Sequence, residues 1–344
     1  MNFIKSFPVL FVCSALITSC QTSSKNPVNK PDQHAVASQL FSNYYNDRMK
    51  LYPLEATQNG DNRYNDLLPN NITEAYRKQE KDFYQQYSDS LNKLDRSQLD
   101  ANDQMSYDVL KWELSINLEG LNYPDNLMPI NQFWSLPLTM GQLGSGSGNQ
   151  PFNTVKDYDN FLGRINGYAV WCDTAIANMR MGMSKGLVYP KILMERVLPE
   201  MKGLISADVK KSVFYQPILK LDTMKFSDDD KKRLTDLYAK AITDQINPSY
   251  QKLHDFIKDE YLPVCRTTAG ISNIPGGSDY YQYLIKQWTT TDMTADQVFE
   301  LGQKEVNRLR GEMETVMKEV YEKIGVAYHT YVTTINKQGV CEEA

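Results

Sequence analysis

The chain has 344 residues, with 37 basic and 42 acidic side chains and a formal net charge of −5. This length is enough for one large domain or two ordinary ones. The sequence contains no run of Lys and Arg, which argues against nucleic-acid binding, and no stretch approaches the roughly 20 apolar residues of a membrane-spanning helix. We therefore expect a globular chain with no nucleic-acid partner.

The N-terminal residues have the pattern of a secretory signal. Lys5 supplies a positive charge, and residues 7–17 form an apolar run that is too short to span a bilayer. Residues 17–20, Ile-Thr-Ser-Cys, resemble the bacterial lipobox, in which the cysteine is acylated and becomes the new N-terminus. We therefore predict a signal peptide over residues 1–19 and lipidation of Cys20, with the membrane as a partner through the lipid. A chance cysteine after an ordinary signal peptide is the alternative.

Residues 20–33 are predicted to be the lipidated cysteine followed by a flexible tether, because the segment is rich in Ser, Asn, Lys and Pro. Gln21 stands where an aspartate would favour retention in the inner membrane. We therefore expect a cell-envelope location, with the outer membrane favoured over the inner membrane.

Residues 34–323 are predicted to form an all-α, multi-helix domain, because apolar residues recur at helical spacing almost throughout. Convincing strand alternation is rare. We expect a break at Asn247-Pro248, since proline cannot donate the backbone hydrogen bond of a helix interior. The predicted helices lie around residues 40–51 and over residues 73–94, 104–118, 154–183, 228–250 with a continuation to about 261, and 294–323.

Two of these helices begin with the spacing of a capping box, in which two side chains satisfy backbone N–H groups of the first turn. The pairs are Thr154 with Asp157 and Thr294 with Gln297. The last predicted helix also repeats apolar residues at heptad-like spacing, at Val298, Gly302, Val306, Leu309, Met313, Val316 and Val320.

Residues 127–152 and 266–281 are rich in Gly and Pro and are predicted to be irregular. The glycine-rich run over residues 141–150 is not a phosphate-binding loop, because no Gly-Lys-Ser/Thr follows it and no buried strand precedes it. A loop lying against a cleft and a plain connector are the two remaining interpretations. The aromatic residues that follow line either a pocket or the core; they are Tyr280, Tyr281, Tyr283 and Trp288.

The sequence contains no recognisable motif for a metal site or a nucleophile. His34 lies near the tether, His254 lies in a helix and His329 lies in the C-terminal tail. No His-Glu-x-x-His motif, which would place two ligands and a general base on one helix face, is present. Residues 144–148 match the letters of the nucleophile elbow without its strand and helix. We therefore predict no catalytic residue, no metal ligand and no cofactor within this chain.

Several runs of residues together resemble a known family. They are Tyr52-Pro53-Leu54-Glu55-Ala56-Thr57-Gln58-Asn59-Gly60, Met128-Pro129-Ile130-Asn131-Gln132, Gly144-Ser145-Gly146 with Gln150-Pro151-Phe152, Arg266-Thr267-Thr268-Ala269-Gly270-Ile271, Pro275-Gly276-Gly277 with Tyr280-Tyr281, Trp288-Thr289-Thr290-Thr291, and Leu301-Gly302 with Glu305, Val306 and Arg308. These runs occur in the expected order between about residue 41 and about residue 318. On these residues the chain is similar to the bacterial domain-of-unknown-function family eight-eighty-five.

The resemblance implies an all-helical fold like that of the gluzincin metallopeptidases, in which helices form two walls of a deep cleft and a zinc-binding helix crosses its floor. It also implies an exported protein with a peptidase-like architecture. The family's metal motif, His-Glu followed after two residues by Pro-Gly-His, is not found in this sequence. We therefore expect this chain to form half of the cleft fold, and we expect zinc only in a C-terminal half that the sequence does not contain.

The resemblance carries over to this chain a wall on the substrate side of the cleft, with peptides as the implied partner. Its candidate residues belong to the glycine-rich run and to the second irregular segment, and they are Gly144, Ser145, Gly146, Gln150, Pro275, Gly276, Tyr280 and Tyr281.

Residues 324–344 are expected to form a divergent tail, because they continue no helical stripe and depart from the family pattern. A frameshift, a premature stop, a gene-model error or a real ending would each account for this tail.

Three functional hypotheses remain open. The first is a lipid-anchored, truncated relative of a zinc-dependent peptidase that is inactive alone. The second is a non-catalytic envelope lipoprotein that binds peptides or other solutes. The third is an enzyme restored by a separately encoded C-terminal half.

Lipidation is tested by Cys20→Ala, which should move the protein from the membrane fraction to the soluble fraction and abolish incorporation of labelled palmitate. The acyl chains are the only membrane anchor that the sequence predicts, so their loss should release the chain. Cys13→Ala is the matched control, since it lies in the apolar run and leaves residues 17–20 intact. Label retained by Cys20→Ala would contradict the prediction.

Overall fold

The computed structural model describes residues 32–324, and these residues form helices and connecting turns without any strand. This confirms the predicted all-α class. The helices are α1 (Gln33–Leu51), α2 (Pro53–Gln58), α3 (Glu74–Leu91), α4 (Ala101–Gly120), α5 (Leu136–Gly144), α6 (Val155–Ser184), α7 (Lys191–Gly203), α8 (Asp228–Ala241), α9 (Asn247–Phe256), α10 (Gly277–Thr289) and α11 (Ala295–Ile324). None of the described helices is long and apolar enough to traverse a lipid bilayer.

Helices α1, α3 and α4 pack together around a core that is rich in tyrosine. Tyr44 lies 5.1 Å from Tyr87 between ring centroids, in an edge-to-face arrangement, and both rings are buried. Edge-to-face contacts of this kind add to the gain from burying the ring surface. The other buried residues of this cluster are Ala37, Tyr84, Leu91, Leu94, Leu99, Tyr107, Leu110 and Leu114.

Helix α6 lies at the centre of the larger core, where it packs against α8 and α9. Its predicted capping box is confirmed, because the Asp157 N–H donates to Thr154 Oγ1 at 3.2 Å and the Thr154 N–H donates to Asp157 Oδ2 at 2.8 Å. The predicted apolar stripe faces inward, with Tyr158, Phe161, Ile165, Tyr168, Cys172, Ile176 and Met179 buried.

The predicted break at Asn247-Pro248 is wrong, because the chain stays helical from α8 through α9. Residues 242–246 form a single wide turn of π-helix, in which the Asn247 N–H donates to the Ile242 carbonyl. A π turn of this kind moves backbone hydrogen bonds from the i−4 to the i−5 carbonyl, which accommodates the missing N–H of Pro248. A second π turn covers residues 257–261.

The two Gly- and Pro-rich segments are more ordered than predicted, since the first contains α5 and the second leads into α10. Gly144 ends α5 against an aromatic side chain, and a Cβ atom built there would lie 2.3 Å from Phe214 Cδ1. A glycine is therefore needed for this close approach. Glycines near the ends of these helices obscured them in the sequence, because Gly disfavours helix interiors.

Helix α11 begins with the predicted Thr294–Gln297 capping box, in which the Thr294 N–H donates to Gln297 Oε1 at 2.9 Å. The predicted heptad stripe lies along this helix. No residue from 295 to 323 is buried by the described part of the chain.

Arg164 of α6 is completely buried and pairs with no carboxylate among the described residues. Its guanidinium donates to a set of oxygen acceptors from the N-terminal segments and from Gln150. They are the carbonyls of Pro53 (3.1 Å), Tyr64 (3.2 Å) and Leu67 (3.2 Å), Thr57 Oγ1 (2.6 Å) and Gln150 Oε1. Burial lowers the pKa of Arg164 to about 10, so the side chain remains charged at neutral pH.

Replacing this residue, as Arg164→Met, should lower the free energy of unfolding by about 3 kcal/mol or more, because several buried acceptors would lose their donor. Urea denaturation followed by circular dichroism measures the change.

Arg180→Met is the matched control in the same helix. The Arg180 guanidinium is exposed and pairs with Glu260 at 2.6 Å. An exposed ion pair contributes at most about 1 kcal/mol. Equal losses for the two variants would show that the buried guanidinium has no special role.

Candidate functional pocket

A pocket of about 400 Å³ opens between α3, α4, α10 and the segment that leads into α5. Its lining is drawn from parts of the chain that are far apart in sequence. The residues that characterise it are Tyr52, Asn71, Arg77, Glu80, Tyr84, Asn117, Asp125, Trp134, Ser135, Trp171, Tyr280 and Tyr283.

Glu80 provides the carboxylate on one wall of the pocket. Tyr52 OH donates to Glu80 Oε1 at 2.9 Å and lies 2.6 Å from Tyr84 OH. Burial raises the pKa of Glu80, and the hydrogen bond from Tyr52 partly offsets this increase. Within residues 32–324, Glu80 forms no ion pair. Glu80 is therefore a half-buried acid whose negative charge is not neutralised by a directly bound cation.

Arg77 and Asp125 lie in the same lining, and they form an ion pair with each other. Arg77 Nη2 also donates to the carbonyls of Leu121 and Tyr123, each at 2.8 Å. The guanidinium thus fastens the end of α4 to α3. Because Arg77 already has these partners, the positive charge in the pocket is balanced locally.

A stack of aromatic rings borders the pocket through Tyr280 and Tyr283. The Tyr123 ring stacks on Tyr280 and Tyr283, with centroid distances of 4.9 and 4.8 Å. Gly120 permits this arrangement, since a Cβ atom at that position would lie 2.2 Å from Tyr283 OH. The stack therefore has a fixed position against the end of α4.

The loop before α5 forms the rim of the pocket. Asn131 Oδ1 accepts hydrogen bonds from the backbone N–H groups of Phe133 (2.8 Å) and Trp134 (2.7 Å), which holds the loop in an Asx turn. Trp134 is 83% exposed at the pocket edge. Ser135 is only 5% exposed, and its Oγ has no hydrogen-bond partner among the described residues. A buried hydroxyl without a protein partner is unusual in a folded protein, and it is available to pair with water or with a ligand atom.

Residues 53–338 match the family of bacterial proteins of unknown function called DUF885. The chain belongs to the DUF885 family. The match includes the pocket residues of α3, α4 and α10, and it extends beyond residue 324, where we expected the divergent tail to begin.

Two solved structures share the fold of this DUF885 chain. A putative lipoprotein from Colwellia psychrerythraea is 20% identical with a TM-score of 0.67, and the match covers 86% of this chain and 52% of that one. A putative lipoprotein of unknown function from Shewanella oneidensis is 17% identical with a TM-score of 0.56, covering 83% and 48%. The chain thus spans about half the length of each. A comparison with curated proteins gives no match.

Of the eight residues predicted for the substrate-side wall, Tyr280 lines the pocket. Pro275 and Gly276 immediately precede α10, and Tyr281 is half exposed on that helix. The hydroxyl of Tyr123, whose ring stacks on Tyr280, donates a hydrogen bond to the Asp279 carbonyl at 3.3 Å.

The glycine-rich run of this DUF885 chain lies elsewhere. Gly144 packs on Phe214, Ser145 Oγ lies 2.7 Å from Ser147 Oγ, and the Gly146 carbonyl accepts from Lys220 Nζ at 3.2 Å. Gln150 is buried and accepts from Arg164. The substrate-side role of these residues stays a prediction. Cys20 lies outside the described residues.

Glu80, Tyr52 and Ser135 were missed as site residues. Tyr52 begins one of the runs on which the family resemblance rests, but neither Glu80 nor Ser135 belongs to any such run. Glu80 is one of many acidic residues on a polar helix. Only the tertiary structure brings these three side chains together.

The described residues contain one cluster with the composition of a metal site, formed by His34, Asp100 and Asp103, whose potential ligand atoms lie within 4.8 Å of one another. His34 Nδ1 lies 2.5 Å from Asp103 Oδ2 and 3.9 Å from Asp100 Oδ2. Asp100 also caps α4, since the Asp103 N–H donates to its Oδ1 at 2.9 Å. This cluster has a structural role, because it holds the start of α1 against α4.

The pocket itself does not fit a catalytic zinc, which takes three protein ligands. Its carboxylates are Glu80 and Asp125, and neither His nor Cys is among its lining residues. His254 lies on α9, as predicted for a satisfied helical histidine, with Nδ1 2.9 Å from Asp255 Oδ1. His329 lies outside the described residues.

The His34–Asp103 contact predicts a titration. The hydrogen bond to Asp103 raises the pKa of His34 above its ordinary value of 6.5. The contribution of this pair to stability is therefore fully present below pH 6.5 and is lost as the pH rises through the raised pKa of the folded state.

An NMR titration of the His34 ring measures this pKa, and Asp103→Asn should return it towards 6.5. Asp100→Asn should cause a smaller change, because that carboxylate is farther from the ring. An ordinary pKa for His34 in the unmodified protein would refute the contact.

Proposed function

We propose that this DUF885 chain is an envelope lipoprotein whose pocket binds a small peptide through its protonated amino terminus. The observation that carries the proposal is Glu80, a half-buried carboxylate that has no ion-pair partner among residues 32–324 and lines a pocket of suitable size. A ligand ammonium group would supply the missing positive charge. A charge-assisted hydrogen bond of this kind is stronger than a neutral one, which favours an amine over an uncharged ligand.

The rest of the lining supports a peptide over a simple amine. Asn71 and Asn117 offer amide groups, and the Ser135 hydroxyl offers both a donor and an acceptor. Peptide groups in the ligand would pair with these atoms. The exposed Trp134 at the rim and the Tyr280 ring provide apolar surface for a ligand side chain. Pockets that combine an apolar wall with a few placed polar groups are typical of small-ligand sites.

The envelope location rests on two independent observations. The sequence around Cys20 resembles a lipobox. The two solved structures that share the fold are both described as putative lipoproteins. We infer an exported chain held at a membrane by lipid, and we retain the outer membrane as the favoured location because of Gln21.

The relation to zinc peptidases rests on the family resemblance alone. This chain spans about half of each solved relative. The activity of a full-length relative therefore cannot be transferred to it. We propose that this chain is related to those peptidases and that its described pocket does not hydrolyse peptides. The described pocket would then bind a peptide without cutting it.

Isothermal titration of the purified chain with tetraalanine tests the binding proposal, with N-acetyl-tetraalanine as the uncharged comparison. Tetraalanine should bind more tightly, and Glu80→Gln should weaken it about tenfold or more, the amount that corresponds to one charge-assisted hydrogen bond. Binding should also weaken as the pH falls through the raised pKa of Glu80, because protonation removes the negative charge.

Asp82→Asn is the matched control, since Asp82 lies on α3 outside the pocket and pairs with Lys78 at 2.5 Å. This variant should bind tetraalanine normally. The proposal fails if neither peptide binds, if both bind equally well, or if Glu80→Gln has no greater effect than Asp82→Asn.

A further inference from the structure

A second, smaller cavity adjoins the pocket that contains Glu80. It has a volume of about 150 Å³, and Tyr52, Asn71 and Leu136 line both spaces. The two spaces therefore share a boundary, and we call the smaller one the side cavity. Its apolar lining is contributed by Leu51, Pro53, Leu54, Leu68, Pro69 and Leu136.

Two tyrosines of the side cavity use their hydroxyls for partners within the protein. Tyr76 OH donates to the Leu51 carbonyl, and Tyr52 OH donates to Glu80 Oε1 at 2.9 Å. Both side chains also line the side cavity. Since the hydroxyls are bonded elsewhere, these residues contribute mainly ring surface to the cavity.

The other polar side chains of this lining are engaged in the same way. Glu55 pairs with Arg48 at 2.7 Å, and Asn71 Oδ1 accepts from Trp171 Nε1 at 3.1 Å. A polar ligand group that entered the side cavity would give up its water for few new partners, which costs free energy. An apolar group would gain from leaving water.

The side cavity lies close to the carboxylate of Glu80. Tyr76 and Glu80 are four residues apart on α3, so they share one face of the helix and are separated by about 6 Å along its axis. In a peptide, the first Cα lies about 1.5 Å from the amino nitrogen and the second lies about 3.8 Å beyond the first. With the amino group at Glu80, the side chain of the first residue is therefore the one nearest to the side cavity.

We propose that the side cavity binds the side chain of the first residue of the peptide, and that the pocket prefers peptides beginning with leucine or an apolar residue of similar size. This inference rests on the proposed function, in which Glu80 binds the protonated amino terminus. An apolar cavity of about 150 Å³ can hold a group the size of benzene. A leucine side chain fits within that space, whereas alanine leaves most of it empty.

Isothermal titration of the full chain with a set of tetrapeptides tests the preference. Leu-Ala-Ala-Ala should bind about tenfold or more tightly than tetraalanine, because three additional carbon atoms leave water. Ala-Leu-Ala-Ala has the same composition and is the matched ligand, and it should gain little over tetraalanine. Asn-Ala-Ala-Ala should also gain little, because its side chain is close to leucine in size but polar.

A variant that narrows the side cavity provides the second measurement. Leu68→Phe should remove the advantage of Leu-Ala-Ala-Ala over tetraalanine, because the larger ring occupies the space for the ligand side chain. Leu67→Phe is the matched control, since Leu67 is 43% exposed and lies outside the lining of the side cavity. It should keep the advantage. Circular dichroism checks that both variants fold, and the ligand series on the unmodified chain decides the matter if Leu68→Phe does not.

The outcomes separate this inference from the proposed function. If tetraalanine binds through Glu80 but Leu-Ala-Ala-Ala binds no more tightly, the side cavity has no such role and the amino-terminal site stands. Equal gains for Leu-Ala-Ala-Ala and Ala-Leu-Ala-Ala, or equal effects of Leu67→Phe and Leu68→Phe, would also overturn the inference. If none of the tetrapeptides binds, both proposals fall.

Discussion

The buried guanidinium of Arg164 is the interaction on which the arrangement of the described chain depends. It donates from the N-terminal third of α6 to carbonyls and a hydroxyl of α2 and the turns that follow α2, and to the side-chain oxygen of Gln150. Within residues 32–324 no carboxylate forms an ion pair with it, and its N–H groups donate instead to neutral carbonyl, hydroxyl and amide oxygens. A charge buried in this way is tolerated only when its hydrogen-bonding groups are satisfied, which restricts how the N-terminal helices sit on α6.

This restriction reaches the pocket through the backbone. Arg164 holds the Pro53 carbonyl at 3.1 Å, and Tyr52 is the preceding residue. Tyr52 in turn donates to Glu80, so the position of the pocket carboxylate is coupled to a buried contact on the other side of α2. The family run that begins at Tyr52 therefore has two roles. Pro53 binds the buried guanidinium, and Tyr52 positions the pocket carboxylate. Thr57, in the same run, accepts directly from Arg164.

The sequence alone predicted the helices in which apolar residues recur at regular spacing over many turns. Helix α6, with its capping box at Thr154, and α11, with its box at Thr294, were predicted within one or two residues. The helices that contain or adjoin glycine and proline were missed, because α5 has Pro137 in its first turn, α10 follows Pro275-Gly276 and α7 contains Pro199. The pocket was largely missed for a different reason. Tyr52, Glu80, Ser135 and Tyr280 each satisfy an ordinary local pattern, and only their tertiary proximity makes them a site.

The two π turns around α9 have a consequence for how this segment can vary among homologues. Buried residues follow one another mostly four apart along it, at Leu234, Tyr238, Ile242, Ile246, Tyr250, Leu253, Ile257 and Tyr261. In a regular α-helix a step of four residues overshoots a full revolution by about 40°, so this stripe would wind away from the core. The wide turns absorb the excess rotation and keep the stripe in phase. Deletion of one residue within either wide turn would convert it to an ordinary α turn and leave the later side chains in phase, so single-residue length changes in this segment should be confined to residues 242–246 and 257–261.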